Sequence, residues 1–327
     1  MSLSVVVPLY NKAEYIGRAL NSIAAQTLTP TEIIVVDDGS SDDSATIVEQ
    51  YKHLSIRLIR QVNAGPGAAR NRGIYEASGE LIAFLDADDE WLPEYLETGV
   101  KLLKENPQAA LVTSGMWETP PDVFREKMWL QRGVNSGLCR VIPSMSPMEL
   151  AYRLFFLSPC ATIARADAIR RYGGFYTRDG CRFGEDLMLW LKVILNEPVY
   201  IHLQPLIRVH RNASELSTTV RGARPIEPVL TDTETILRAC PVDLQPLVRR
   251  FCATMACKTA CMLGYWGHSK AARQLMKTHV TLQDWTSPFF FPALICCTPI
   301  AGWIGPAALT AARKLTPGSS YAHVGGE

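Results

Sequence analysis

No excess of either charge marks this sequence: 33 Lys and Arg face 32 Asp and Glu, a net charge of +1. Nucleic-acid-binding domains ordinarily carry a basic face, so nucleic acid is not an expected partner. A disordered chain is excluded as well, because 47% of the residues are hydrophobic and such a chain buries enough apolar surface to offset its ordering entropy. The N-terminus has no basic segment and no small-residue cleavage site, and it opens directly into a strand pattern at Leu3; a signal peptide is not expected. No dense cysteine framework is present either. Nine Cys are scattered along the chain, which suits a reducing compartment and a cytoplasmic location. Cys252, Cys257 and Cys261 cluster in the apolar stretch 251–263, without His or Asp at ligand spacing, and are expected as free thiols rather than a zinc site. Internal repeats are absent. So is a clean membrane span: the 27 residues from Thr286 to Ala312 carry no charge but are broken by Pro288, Pro292, Pro299 and Pro306. That stretch reads either as an interfacial segment on the inner face of the cell membrane, anchored by Phe289, Phe290, Phe291 and Trp303, or as a buried hairpin or oligomer contact.

What the sequence does contain is alternation. Apolar strands are expected at 3–9, 32–36, 55–60 and 81–85, separated by helices at 12–26, 42–51 and 67–77. Continuous apolar strands between helices imply a largely parallel sheet covered on both faces, the doubly wound α/β class. From 106 to 217 the elements shorten and mix, with a loop-rich stretch at 120–146, helices at 148–157 and 185–195, and strand signals over 199–209 broken by Pro205. From 218 the chain reads as helical. Three regions are therefore expected: 1–105 as an α/β unit, 106–217 as a mixed unit, and 218–327 as a helical extension.

In such sheets ligands bind beyond the carboxyl ends of the strands. Those positions hold Tyr10-Asn11, then Asp37-Asp38-Gly39-Ser40, then Asp86-Ala87-Asp88-Asp89. Adjacent carboxylates repel unless a cation relieves them, and oxygen ligands suit Mg²⁺ or Mn²⁺, which keep positions open for substrate phosphates. Asp86 and Asp88 are the expected metal ligands, with Asp89 capping a helix that starts near Trp91. Gly67, Arg70 and Arg72 lie in a Gly/Pro turn that opens a helix, whose N-terminus favours anions; either Arg could face a phosphate. Glu185-Asp186 opens a long helix, with Asp186 expected as general base and Trp190 either stacking on a sugar ring or packing in the core. His210, between Arg208 and Arg211, could complete the metal site.

Taken in order, these motifs resemble glycosyltransferase family 2, the inverting enzymes of the GT-A fold, over about residues 3–215. The segments that carry the resemblance are Val5-Val6-Val7-Pro8-Leu9-Tyr10-Asn11, Asp37-Asp38-Gly39-Ser40, Gly67-Ala68-Ala69-Arg70-Asn71-Arg72-Gly73, Phe84-Leu85-Asp86-Ala87-Asp88-Asp89 and Glu185-Asp186. The resemblance implies a Rossmann-like mixed sheet and an NDP-sugar donor, UDP-linked in the first instance. It further implies base and ribose contacts from Pro8, Tyr10, Glu14 and Asp38, a divalent metal (Mn²⁺ or Mg²⁺) held chiefly by Asp88 with Asp86 shared between metal and ribose, and Asp186 as base, so that 1–105 takes the nucleotide sugar and 106–217 the acceptor and the catalytic base. It raises His210 as a metal neighbour. The Gln-x-x-Arg-Trp motif of processive synthases is missing after Asp186, which implies a non-processive enzyme moving one sugar to a glycan or lipid-linked acceptor in surface polysaccharide or glycolipid assembly. Two other classes compete: a nucleotidyltransferase, whose Gly-rich first loop is not found at Pro8–Lys12, and a non-catalytic sugar-nucleotide-binding module.

Overall fold

A computed structural model describes residues 1–213 and 223–298. In chain order the strands are β1 (Leu3–Leu9), β2 (Glu32–Asp37), β3 (Ile56–Arg60), β4 (Leu81–Phe84), β5 (Glu90–Trp91), β6 (Leu111–Thr119), β7 (Gly137–Cys139), β8 (Thr162–Arg165) and β9 (Val199–His210). The helices interleaved with them are α1 (Ile16–Ala24), α2 (Ser44–Gln50), α3 (Pro66–Glu76), α4 (Tyr95–Glu105), α5 (Glu126–Gln131), α6 (Pro147–Phe156), α7 (Ala166–Arg171) and α8 (Glu185–Asn196). The strands form one sheet in the order β3-β2-β1-β4-β8-β6-β9-β5, with β7 added to β9.

The first four strands are mutually parallel, and β8 then runs antiparallel to β4. Burial explains their apolar continuity. On β1 and β4 successive side chains point to opposite faces, and both faces are covered. Val6, Ile34 and Phe84 enter a core with α3, α6 and α8. Val5, Val7 and Ile33 enter a second core with α1 and α4. Helix α1 turns Ile16, Ala19, Leu20 and Ile23 into that second layer, as their spacing predicts.

Three local expectations change. Trp91 begins no helix: with Glu90 it forms β5, paired to Ile207 and Arg208 of β9, and α4 starts only at Tyr95. The stretch 120–146 contains α5 and β7 rather than loop alone. Strand β9 passes through Pro205 without ending. Its pairing with β6 shifts register on either side of Gly115, the partner of Pro205, and such an irregularity accommodates a residue that has no N–H to donate.

The C-terminal layer consists of short helices at Pro228–Thr231 and Thr233–Ala239, a long one at Gln245–Tyr265, and two more at Ser269–His279 and Phe290–Cys296. Cys252 and Cys257 are buried free thiols on the long helix, and Cys261 is a half-buried one. Among the described residues no helix is long and apolar enough to cross a membrane. Trp303, and the part of the uncharged run beyond residue 298, lie outside the described residues.

Candidate active site

The sheet brings the three strand ends together. Pairing of Leu9 with Asp37 and of Val6 with Phe84 sets the ends of β1, β2 and β4 side by side. Asn11 takes a positive φ of 48°, and this turn lets it lock two loops: its N–H donates to Ser40 Oγ (3.0 Å), and its Oδ1 accepts from the Ser41 N–H (2.8 Å). Tyr10 is 46% exposed at the mouth of the site, Glu14 is exposed and Pro8 is half-buried.

Asp38 is buried and committed to its own loop. It accepts from Gln61 Nε2 (2.7 Å) and from the N–H groups of Ala64 (2.9 Å) and Gly65 (2.8 Å). Gly65 can donate there because it holds a φ of 92°, a region that side chains disfavour. The anion satisfying the amides that lead into α3 is therefore this carboxylate. It stands where a donor phosphate was expected.

The two arginines of α3 part company. Arg70 is buried and forks between Asp86 Oδ1 (2.6 Å) and Glu185 Oε1 (3.0 Å), with its guanidinium over the Phe175 ring. Burial works against its charge, but Asp86 and Glu185 outweigh burial and raise its pKa above the usual arginine value. Arg70 thus braces two motifs rather than presenting itself to a phosphate. Arg72 does not join the site, because its Nε bonds Glu76 one turn along the exposed face of α3 (2.9 Å). Gly67 allows the approach that Arg70 needs. A Cβ there would stand 2.9 Å from Glu185 Cγ and 3.2 Å from the Tyr176 carbonyl, so Gly67 serves packing of α3 onto the start of α8. Gly67→Val should displace Glu185 and lower the melting temperature by several degrees in a thermal scan, the cost of overpacking being about 1–3 kcal/mol.

Asp86, Ala87, Asp88 and Asp89 follow β4 after Leu85. Asp88 faces Lys12: Nζ lies 3.0 Å from Asp88 Oδ2 and also donates to the Ala213 carbonyl (2.7 Å). Burial, then the charge of Asp86, still raises the Asp88 pKa despite Lys12. Asp89 is no helix cap, since α4 is capped by no side chain. It is buried and accepts from the His210 backbone N–H (3.1 Å). Burial, followed by the charges of Asp86 and Asp88, pushes its pKa well up. Among the described residues, Asp86, Asp89 and Cys160 bring one ligand atom each within 4.8 Å of one another. The Cys160 thiol is held neutral, raised well above its usual value first by burial and then by Asp89, so the anionic oxygens dominate the site. Asp88 and Asp89, whose ionisation is resisted, stand beside Asp86, and such a cluster of carboxylate oxygens fits a hard divalent cation. In this arrangement Asp88 is turned to Lys12. The His210 imidazole lies 3.5 Å from Glu90 Oε1; it joins the rim through Glu90 and Asp89. Its pKa is lowered by burial and by Arg18, with Glu90 opposing.

Asp186 sits beside this centre on the first turn of α8. It keeps an edge to solvent, yet desolvation, followed by the Glu185 charge, pushes its carboxyl up to about 7. Its Oδ1 accepts only from the N–H of Leu187 (2.9 Å) among the side-chain hydrogen bonds of the described residues. Trp190 stacks on no sugar: it is buried edge-on against Phe175. Sequence reasoning missed Lys12, Asp89 as a buried site carboxylate, and Cys160. The first two stand at strand carboxyl ends, where position alone could have flagged them. Cys160 carries no such signal.

Residues 4–173 match the family model described as Glycosyl transferase family 2. A poly(ribitol-phosphate) β-N-acetylglucosaminyltransferase, TarS of Staphylococcus aureus, is 30% identical over 205 residues, covering 60% of this chain and 33% of that protein. An uncharacterized glycosyltransferase of Nostoc sp. is 44% identical over 107 residues, 32% of this chain and 33% of that protein. The chain therefore spans about a third of the curated relatives it matches. Two solved structures share the fold. One is S. aureus TarS 1-349 in complex with UDP, with a TM-score of 0.55 at 21% identity over 96% of this chain and 88% of that one. The other is the mannosyltransferase PcManGT of Pyrobaculum calidifontis in complex with GDP-Man and Mn²⁺, with a TM-score of 0.54 at 20% identity over 96% and 86%.

Proposed function

The chain belongs to glycosyltransferase family 2, and on that premise we propose that it moves one sugar from an NDP-sugar, UDP-linked in the first instance, to a hydroxyl acceptor with inversion at the anomeric carbon. The observation that carries this reading is the Arg70 fork. It ties Asp86 of the strand-end acidic motif to Glu185, and so fixes the diphosphate end of the site against Asp186, the adjacent residue. Asp186 then takes the acceptor proton as the hydroxyl oxygen attacks the sugar carbon. Its raised pKa suits a base working near neutrality. Asp88 and Asp86, with Asp89 behind them, would hold a divalent cation, which supplies Lewis-acid neutralisation of the departing diphosphate. Lys12, freed from Asp88, adds a second positive charge at that end, and exposed Tyr10 offers a face for the nucleobase. A TarS structure in complex with UDP-GlcNAc and the PcManGT complex with GDP-Man support the donor class. The acceptor proposed is a glycan or a lipid-linked sugar of surface polysaccharide or glycolipid assembly.

Lys12 and a divalent ion compete for one carboxylate. Lys12→Met is therefore expected to tighten Mn²⁺ binding in the absence of nucleotide by about tenfold, since a neighbouring like charge at this depth weighs about 1 kcal/mol or more. Calorimetric titration of Mn²⁺ alone reads this directly, and unchanged or weaker binding would remove Lys12 from the account. Release of nucleoside diphosphate from a panel of NDP-sugars, with and without Mn²⁺, separates the competing classes. A nucleotidyltransferase would instead consume a triphosphate, and a binding module would release nothing.

A further inference from the structure

We infer that the C-terminal helical layer docks on an anionic lipid surface. The Phe290–Cys296 helix has two faces. Phe290, Ala293 and Cys296 are buried in the layer built on the long Gln245–Tyr265 helix. Phe291, Leu294 and Ile295, spaced i, i+3 and i+4, form one outward stripe; Phe291 is 61% and Ile295 53% exposed. Trp285, in the preceding turn, is 60% exposed.

Beside this apolar face runs a basic one. Lys270, Arg273 and Lys277 share the exposed side of the Ser269–His279 helix. Arg273 Nη1 donates to the Cys297 carbonyl (2.8 Å), which fixes the basic stripe against the end of the apolar helix. Between Gln245 and Thr298 six Lys and Arg stand against a single acid, Asp284, although the whole chain is nearly neutral. Asp284 is engaged by Thr281, which it caps. Lys270, Arg273 and Lys277 thus set positive charge beside exposed aromatic and aliphatic side chains.

That combination matches a membrane interface. Apolar side chains enter the acyl boundary while Lys and Arg meet anionic headgroups, and Trp favours the boundary between them. A second copy of this chain fits less well, because a symmetric contact would bring two basic stripes together. The sequence runs on from this helix without charge to Ala312 and then reads Arg313-Lys314. The inference is independent of the transfer reaction, since it rests on none of the candidate site residues and is read without a sugar donor.

The test is sedimentation of the full chain with vesicles of phosphatidylcholine alone, and of phosphatidylcholine with phosphatidylglycerol at roughly 3:1. The chain is expected to sediment with the mixed vesicles and not with the neutral ones, and to be released at about 1 M salt, where screening acts within about 3 Å. Lys270→Glu with Lys277→Glu, and separately Phe291→Ser with Leu294→Ser, should each lower the bound fraction at least about tenfold. All four positions are exposed, so an unchanged far-UV circular dichroism spectrum is expected and excludes misfolding as the cause. Failure to bind either vesicle, equal binding to both, or native-like binding by both double variants overturns the inference. So does a concentration-dependent dimer that is lost in the Phe291/Leu294 variant and does not bind vesicles, since a second copy then covers this face.

Discussion

Replacing Asp186 by Asn should lower sugar transfer by about 10²–10⁴-fold, the range general-base catalysis contributes, while UDP binding persists. The substitution keeps the size of the side chain and the Asp186 oxygen that accepts from the Leu187 N–H, but it removes the basic lone pair. A pH profile gives an independent reading. The Asp186 carboxyl is raised from its ordinary value to about 7, and the base acts only when ionised. The rate constant kcat/KM should therefore fall about tenfold per unit as pH drops below 7, and level off above it. Burial and the Glu185 charge cause this shift in that order, so Glu185→Gln should move the acidic limb to lower pH. Transfer that survives in Asp186→Asn, or a profile flat between about pH 5 and pH 8, removes Asp186 from the role of base.

Arg70→Met should destabilise the fold more than any other single change considered for the site. It leaves Asp86 and Glu185 without the cation they share, and breaking a buried pair costs about 3–5 kcal/mol. At about 2–4 °C per kcal/mol for a domain of this order, the melting temperature should fall by roughly 10 °C. Arg70→Lys should recover only part of this, because a single ammonium does not reproduce a planar fork that bridges two carboxylates. Removing one of the stranded charges helps differently: Arg70→Met combined with Glu185→Gln should be more stable than Arg70→Met alone. Scanning calorimetry of the three variants checks both statements. A loss below about 2 °C in Arg70→Met would mean that the two carboxylates are relieved by something other than Arg70.

The sheet and the candidate site at its edge are readable in the sequence for one reason. Strands β1, β2 and β4 are buried on both faces, so their apolar runs are continuous, and the polar residues that end each run mark the candidate ligand edge. The resemblance of the quoted motifs to family 2 agrees with the family match over residues 4–173. Partners across the fold were not readable. Arg70 and Arg72 lie two residues apart on one helix and therefore on different sides of it; nothing local says that Arg70 meets Glu185, 115 positions later, while Arg72 meets Glu76. Local sequence makes Asp89 a cap for a helix at Trp91, whereas tertiary pairing with β9 makes that segment a strand. For Trp190 core packing is at least as expected as sugar stacking, and the Phe175 ring edge-on against it decides for the core. Lys12 was hidden by its type, since a lysine after a strand is ordinarily solvated, and only the fold sets it on Asp88.

The most direct test of the account is release of UDP from UDP-sugars with an acceptor extract, measured with Mn²⁺ and with chelator, for the native chain and for Asp88→Asn and Asp186→Asn. Metal-dependent release by the native chain is expected. So is loss of metal dependence together with activity in Asp88→Asn, and loss of activity with metal and UDP still bound in Asp186→Asn. Full release in the presence of chelator, or native-like turnover by either variant, contradicts the account.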